Sequence, residues 1–140
     1  MSAADVVVAE AQRWLRTPWR HNARVLGAGV DCAQLAIACY QAAGIAVELD
    51  VGRYSRDWML HRSEEVFLCL VRQHLPAVEA PVRGGLAVWK FGRCFSHCAV
   101  IIEWPRIIHA HRPERMVCWG DGEKGSQLAG RPVLFFGVPQ

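Results

Sequence analysis

Apolar residues recur at three- and four-residue intervals near the start of the chain: Ala4, Val7, Val8, Ala11, Trp14 and Leu15, with Asp5 and Glu10 between them. This spacing predicts an amphipathic helix over residues 4–15, ended by Thr17-Pro18. A second stripe, formed by Leu35, Ala36, Cys39, Tyr40 and Ala43, predicts a helix from Cys32 to Ala43 with Gly44 as its stop. The stretch between them, with Gly27 and Gly29, reads as a loop. Residues 46–57 show no period and also read as a loop, after which Asp57 caps a third helix running from Trp58 to about His74, before Pro76. Beyond Pro81 and Gly84-Gly85 the pattern changes to short apolar runs between turn residues. These predict strands at Leu86–Phe91, His97–Glu103, Arg106–His109, Met116–Trp119 and Val133–Val138. Helices first and strands afterwards predict an α+β fold, with N-terminal helices packed on a C-terminal antiparallel β-sheet. No repeat, low-complexity segment or linker interrupts the chain, so residues 1–140 read as one domain.

Composition narrows the classes of function. A hydrophobic content of 52% supports one solid core, yet no apolar run approaches the roughly 18 residues of a membrane span. The net charge of +3 comes from arginines spread along the chain, which suits an anionic surface and does not argue for nucleic-acid binding. The first residues lack a basic region followed by a long apolar one, so no signal peptide is expected and synthesis is placed in the cytoplasm. The six cysteines are accordingly expected as free thiols. Cys32 and Cys39, seven residues apart on one helix, would lie about 10 Å apart along its axis and cannot pair.

Cys32 stands where the glycine-bearing loop meets the second helix, in Gly29-Val30-Asp31-Cys32-Ala33-Gln34-Leu35. The positive end of a helix stabilises a thiolate, the form that attacks, so this position suits a nucleophile. Candidate bases follow downstream: His97 near the start of one strand, His109 and His111 on the next. The 12 residues from His97 to His109 fit two antiparallel strands joined at Trp104-Pro105-Arg106. His97 would then act as general base within reach of the Cys32 sulfur, and His109 would orient it. His111 shares strand parity with His109 and is the alternative third residue.

At these residues the chain resembles the NlpC family of cell-wall cysteine peptidases, compact relatives of the papain-like fold. The likeness covers most of the chain and rests on Asp31-Cys32 opening a helix, Ser96-His97 opening a strand, and Ile108-His109 about a dozen positions on. It implies catalytic residues Cys32, His97 and His109, and no cofactor is expected. It also implies a γ-D-glutamyl–diamino-acid bond of a peptidoglycan stem peptide as the substrate. Thr17-Pro18-Trp19-Arg20-His21 and Tyr54-Ser55-Arg56-Asp57-Trp58 look like the branch carried by tailed phages and phage-derived particles. That branch implies phage tail proteins as partners and incorporation in a virion or tail-like particle. The chain departs from the family pattern at Ala33-Gln34, where Ser-Gly is usual, at Gly84-Gly85, where Gly-Asp is usual, and at Trp19, which stands for a loop tyrosine. Trp19 retains a donor in its indole N–H.

Asp31 reads equally as a helix cap and, by the resemblance, as a carboxylate holding the substrate's free amino group. Arg20 reads as a groove residue meeting substrate carboxylates, or simply as a solvated side chain. Cys39, Cys69, Cys98 and Cys118 read as core residues. The grouping of Cys94, His97, Cys98, His109, His111 and Cys118 raises a zinc reading, but adjacent His97 and Cys98 should face opposite sides of a strand and no Cys-x-x-Cys pair is present. No metal site is therefore expected. The alternative to an enzyme is a non-catalytic phage tail structural or assembly module that binds wall peptide or neighbouring subunits. An intracellular thiol hydrolase acting on lipid or another amide is the third reading.

Overall fold

Residues 1–47, 67–125 and 127–139 are described by the structure, a computed structural model. Helix α1 (Ala3–Arg13) begins at a capping box in which the Ser2 hydroxyl accepts from the Asp5 N–H at 3.1 Å while the Asp5 carboxylate accepts from the Ser2 N–H at 3.1 Å. Within the following loop, β1 (Arg24–Val25) and β2 (Gly29–Val30) form a small antiparallel hairpin that the sequence pattern did not disclose, because two-residue strands carry no period. Helix α2 (Cys32–Ala42) follows directly. Residues 67–74 are helical, at the end of the span expected for a third helix. Its earlier part, and the Tyr54–Trp58 stretch, lie outside the described residues.

The main sheet contains β3 (Ala77–Val78), β4 (Leu86–Phe91), β5 (Cys94–Glu103), β6 (Arg106–His111), β7 (Met116–Asp121) and β8 (Val133–Phe136), in the spatial order β3-β8-β4-β5-β6-β7. All the pairings are antiparallel. Three strands extend beyond their expected ends. β5 starts at Cys94, where it pairs with Phe91 across a tight turn at Gly92 (φ 66°), and β6 and β7 continue to His111 and Asp121 because each pairs along the other's full length. β8 stops at Phe136, and β3 was not anticipated.

Both faces of the sheet are covered, which explains the near-continuous apolar runs in β4 and β5. One face, with Leu86, Val88, Cys98, Val100, Ile108 and Ala110, packs on Val7, Ala11, Leu35, Ile37 and Tyr40 of the helices. The other, with Ala87, Trp89, Ala99, Ile101 and Ile107, packs on Leu128 and Trp104. Leu35, Ile37 and Tyr40 are all but inaccessible, and burying each stabilises α2 by roughly 1.5–3 kcal/mol. The first turn of α2 is thus held on a rigid support.

The segment between α1 and β1 is pinned on two sides. The Arg16 N–H donates to the Val117 carbonyl at 2.9 Å, the Val117 N–H to Thr17 at 2.9 Å and the Trp19 N–H to Arg115 at 2.9 Å, all on or beside β7. The Val30 N–H donates to Pro18 at 3.0 Å and the Arg20 N–H to Val30 at 3.0 Å, tying the same segment to β2.

Candidate active site

Cys32 is the first residue of α2, and Asp31 is its cap. One Asp31 oxygen accepts from the Gln34 N–H at 2.9 Å, and the other from the Asn22 N–H at 2.7 Å, so the carboxylate joins the helix start to the preceding loop. The start of α2 abuts the start of β5: the Cys32 sulfur is 3.6 Å from the Ser96 carbonyl oxygen, and the Cys98 sulfur is 3.2 Å from the Cys32 carbonyl oxygen. Hydrogen bonding from the Cys98 thiol, then the hydrogen bond and positive charge of His97, hold the Cys32 thiol well below its ordinary pKa. Cys98 is pushed the opposite way, by its contact with the Cys32 sulfur and by burial. Of the two thiols, Cys32 is the one that ionises. The expectation that Cys98 is a core residue is half the account, since the buried thiol also touches the candidate nucleophile.

His97 Nε2 lies 2.8 Å from His109 Nδ1, across the β5–β6 pair. That leaves His97 Nδ1 on the other side of the ring, and the ring helps to hold the Cys32 thiol below its ordinary pKa. Strand alternation groups His97 with Ala99 and Ile101 on the face away from α2, and its ring packs beside Trp89 and Phe91 at centroid distances of 6.0 and 5.8 Å. It meets the thiol all the same because Cys32 sits at the very start of its helix, beside the start of β5. There the β4–β5 register shifts between Trp89 and Lys90.

His109 is buried, and burial, followed by the neighbouring His97 and His111 rings, pulls its pKa down to about 2. It therefore stays neutral at any ordinary pH. With its proton on Nε2, Nδ1 is free to accept from His97 Nε2–H, which fixes the orientation of the His97 ring. His111 stacks on His109 with ring centroids 4.5 Å apart and an interplanar angle of 17°, and its ring centroid is 5.9 Å from that of His97. The ring hydrogen-bonded to His97 is that of His109.

Above the thiol lies an open cleft of about 310 Å³, lined by Trp19, Cys32, Phe91, Ser96, His97, Ala110, His111, Arg112, Pro113 and Gln127. Trp19 is half-buried in its wall, with the Arg112 guanidinium 5.4 Å from its ring centroid. Arg20 does not line this cleft. Its Nε donates to the Ala28 carbonyl at 3.1 Å and its stem lies against Gly29, where an added Cβ would come within 2.6 Å. Asp31 does not line the cleft either; it is only 8% exposed, and burial together with the adjacent Cys32 charge raises its pKa to about 7. Phe91, Arg112 and Gln127 were not legible as cleft residues, since they reach it from strand ends and loops that carry no motif. Behind His109, away from His97, donor atoms of His109, His111 and Cys118 lie within 4.8 Å of one another.

No protein-family model matches the chain, and no curated protein matches it. Solved structures do. NlpC1 from Trichomonas vaginalis superposes with a TM-score of 0.72 at 14% identity, over 98% of this chain and 44% of that one. The NlpC/p60 domain of the peptidoglycan hydrolase SagA gives 0.63 at 20% identity, over 98% of both chains. An N-acetylmuramoyl-L-alanine amidase from Bacteroides uniformis gives 0.57 at 8% identity, over 99% of both. The chain thus spans less than half the length of the Trichomonas protein and the whole of the SagA domain. Its α+β architecture is the NlpC/P60 papain-like fold. Among the described residues, no helix is long and apolar enough to cross a membrane.

Proposed function

We propose that this chain is a cysteine peptidase that hydrolyses peptidoglycan stem peptides, cutting the γ-D-glutamyl–diamino-acid bond through Cys32, His97 and His109. The reading is carried by one observation: a thiol at a helix start, held below its ordinary pKa by a histidine whose Nε2 is 2.8 Å from a second, neutral histidine. The cell-wall substrate is carried over from the fold's relatives, among them a peptidoglycan hydrolase and an amidase by their descriptions.

The reaction uses these groups in turn. The Cys32 thiolate attacks the amide carbon, and the carbonyl pair moves onto oxygen, where the Cys32 backbone N–H and the Trp19 indole N–H stabilise the charge. His97 gives its Nδ1 proton to the leaving nitrogen as the C–N bond breaks, leaving a thioester on Cys32. Neutral His97 then takes a proton from water, whose oxygen attacks the thioester. Collapse expels the thiolate and frees the carboxylic acid product. His109 keeps Nε2 of His97 supplied with an acceptor throughout, so the ring does not rotate away from the sulfur. Asp31 and Trp19 are the proposed substrate contacts, and a phage tail or phage-derived particle is the proposed setting, on the likeness of the Thr17–His21 stretch.

Incubating the purified protein with defined muropeptides and identifying products by mass spectrometry tests the reading. Cleavage at the γ-D-glutamyl bond that vanishes in Cys32→Ala is the expected result. No turnover on any stem peptide would favour the tail structural module instead.

A further inference from the structure

The cavity on the far side of His109 offers a second site. Register places Cys118 of β7 directly opposite His109 of β6, and His111 lies two residues on along the same strand face. A donor atom from each of the three lies within 4.8 Å of the others. Gly120 follows on β7, and an added Cβ there would come within 2.7 Å of His109 Nε2, so the absence of a side chain leaves that nitrogen approachable. The cavity, about 230 Å³, is lined by these residues and by Glu114. One thiolate and two imidazoles are a set that zinc binds, in a tetrahedron closed by water or a carboxylate. Zn–N and Zn–S bonds of about 2.0–2.3 Å would draw the donors together by roughly 1 Å, a change within reach of side-chain rotation.

We propose that His109, His111 and Cys118 form a zinc site that switches the catalytic histidine off. The binding follows from the cluster alone; the switching rests on the Cys32–His97–His109 reading above. Zinc on His109 Nε2 occupies the lone pair there and moves the remaining ring proton to Nδ1, while the Cys118 proton is released to solvent. His109 then donates to His97 Nε2 where it formerly accepted. His97 Nε2 must then accept where it formerly donated, which changes the contact that orients the His97 ring beside Cys32 and so weakens its hold on the thiol.

The test uses Zn²⁺ alone and begins with Cys32→Ala, which removes the competing sulfur of the cleft. Competition against a chromophoric chelator should show one equivalent bound, weakened at least about tenfold by adding Cys118→Ser or His111→Ala, a loss that even outer partners of a metal can cause. Co²⁺ in place of Zn²⁺ should give a thiolate-to-cobalt charge-transfer band that disappears with Cys118→Ser. In protein retaining Cys32, Zn²⁺ should slow iodoacetamide alkylation of Cys32, and Cys118→Ser should abolish that slowing while leaving the metal-free rate unchanged. Absence of stoichiometric binding in Cys32→Ala, or binding indifferent to both second substitutions, would overturn the site. Slowing that survives Cys118→Ser would place the metal on Cys32 itself and overturn the switch. Intact zinc binding in a protein that cleaves no stem peptide would sink only the peptidase reading.

Discussion

Cys98 lies against the nucleophile, its sulfur 3.2 Å from the Cys32 carbonyl oxygen, and its contact helps to lower the Cys32 pKa, so its replacement is a sharp test of how the thiol is activated. A hydrogen bond to a charged acceptor contributes about 1.5–3 kcal/mol, and a thiol, as a weak donor, belongs at the lower end. At about 1.4 kcal/mol per pKa unit, Cys98→Ala should raise the Cys32 titration by about one unit. Cys98 is 2% exposed, so losing its sulfur also leaves a small void costing roughly 1 kcal/mol, a few degrees in Tm for a domain of this size. Cys98→Ser retains a donor and should leave the Cys32 midpoint within a few tenths of a unit. The assay is the rate of Cys32 alkylation by iodoacetamide from about pH 4 to about pH 9, with the modified peptide identified by mass spectrometry. An unchanged midpoint in Cys98→Ala would refute the argument and leave His97 as the sole source of activation. Equal shifts in the alanine and serine variants would refute it too, because packing rather than hydrogen bonding would then be responsible.

Cys32 should be alkylated fastest near neutral pH even though Cys69 is more exposed, and loss of Cys32 alone should abolish hydrolysis; faster labelling of Cys94 or Cys118 would contradict the assignment. His109→Ala should lower kcat on a stem peptide by roughly a hundredfold or more through loss of the acceptor on His97, whereas turnover within a few-fold of normal would remove His109 from the triad. Trp19→Phe keeps the bulk and deletes the indole N–H, so kcat should fall about a hundredfold with little change in Tm; unchanged single-turnover rates would eliminate the donor role. Asp31 has its folded pKa raised from 3.8 to about 7, so the stability it contributes is complete below about pH 4 and is lost as pH rises through about 7. Asp31→Asn should therefore gain thermal stability relative to the unsubstituted protein as pH increases across that window, and a pH-independent Tm difference would show that burial does not penalise the charge.

Much of this site was legible because its parts sit on elements whose pattern is strong. The stripe from Leu35 to Tyr40 fixed α2, and with it the helix-start position of Cys32. The two apolar runs around Trp104-Pro105 fixed β5 and β6, and with them the closeness of His97 and His109. Strand parity misled at the end of the sheet. It rightly separates His97 from Cys98 along the strand, yet both touch Cys32, because a helix start placed beside a strand end is reached from either face. The same parity argument counted against a metal cluster by weighing His97 with Cys98. The grouping that forms is instead His109, His111 and Cys118, assembled by β6–β7 register, which single-strand patterns do not encode. Arg20 was unreadable for another reason: its place against Ala28 and Gly29 depends on a hairpin too short to leave a period.

The pinning of Arg16 to Trp19 along β7 has a bearing on colloidal behaviour. β7 is an edge strand, and a bare edge presents unpaired N–H and C=O groups that invite a second chain to add on. Here the connecting segment consumes those groups along the first part of the strand, with a bridge between Pro18 and Met116 extending the cover. The same few residues that carry Trp19 to the cleft therefore act as a guard against sheet-to-sheet association. A lesion that peeled them back would be expected to surface first as fibrils or precipitate, ahead of any slow decline in turnover.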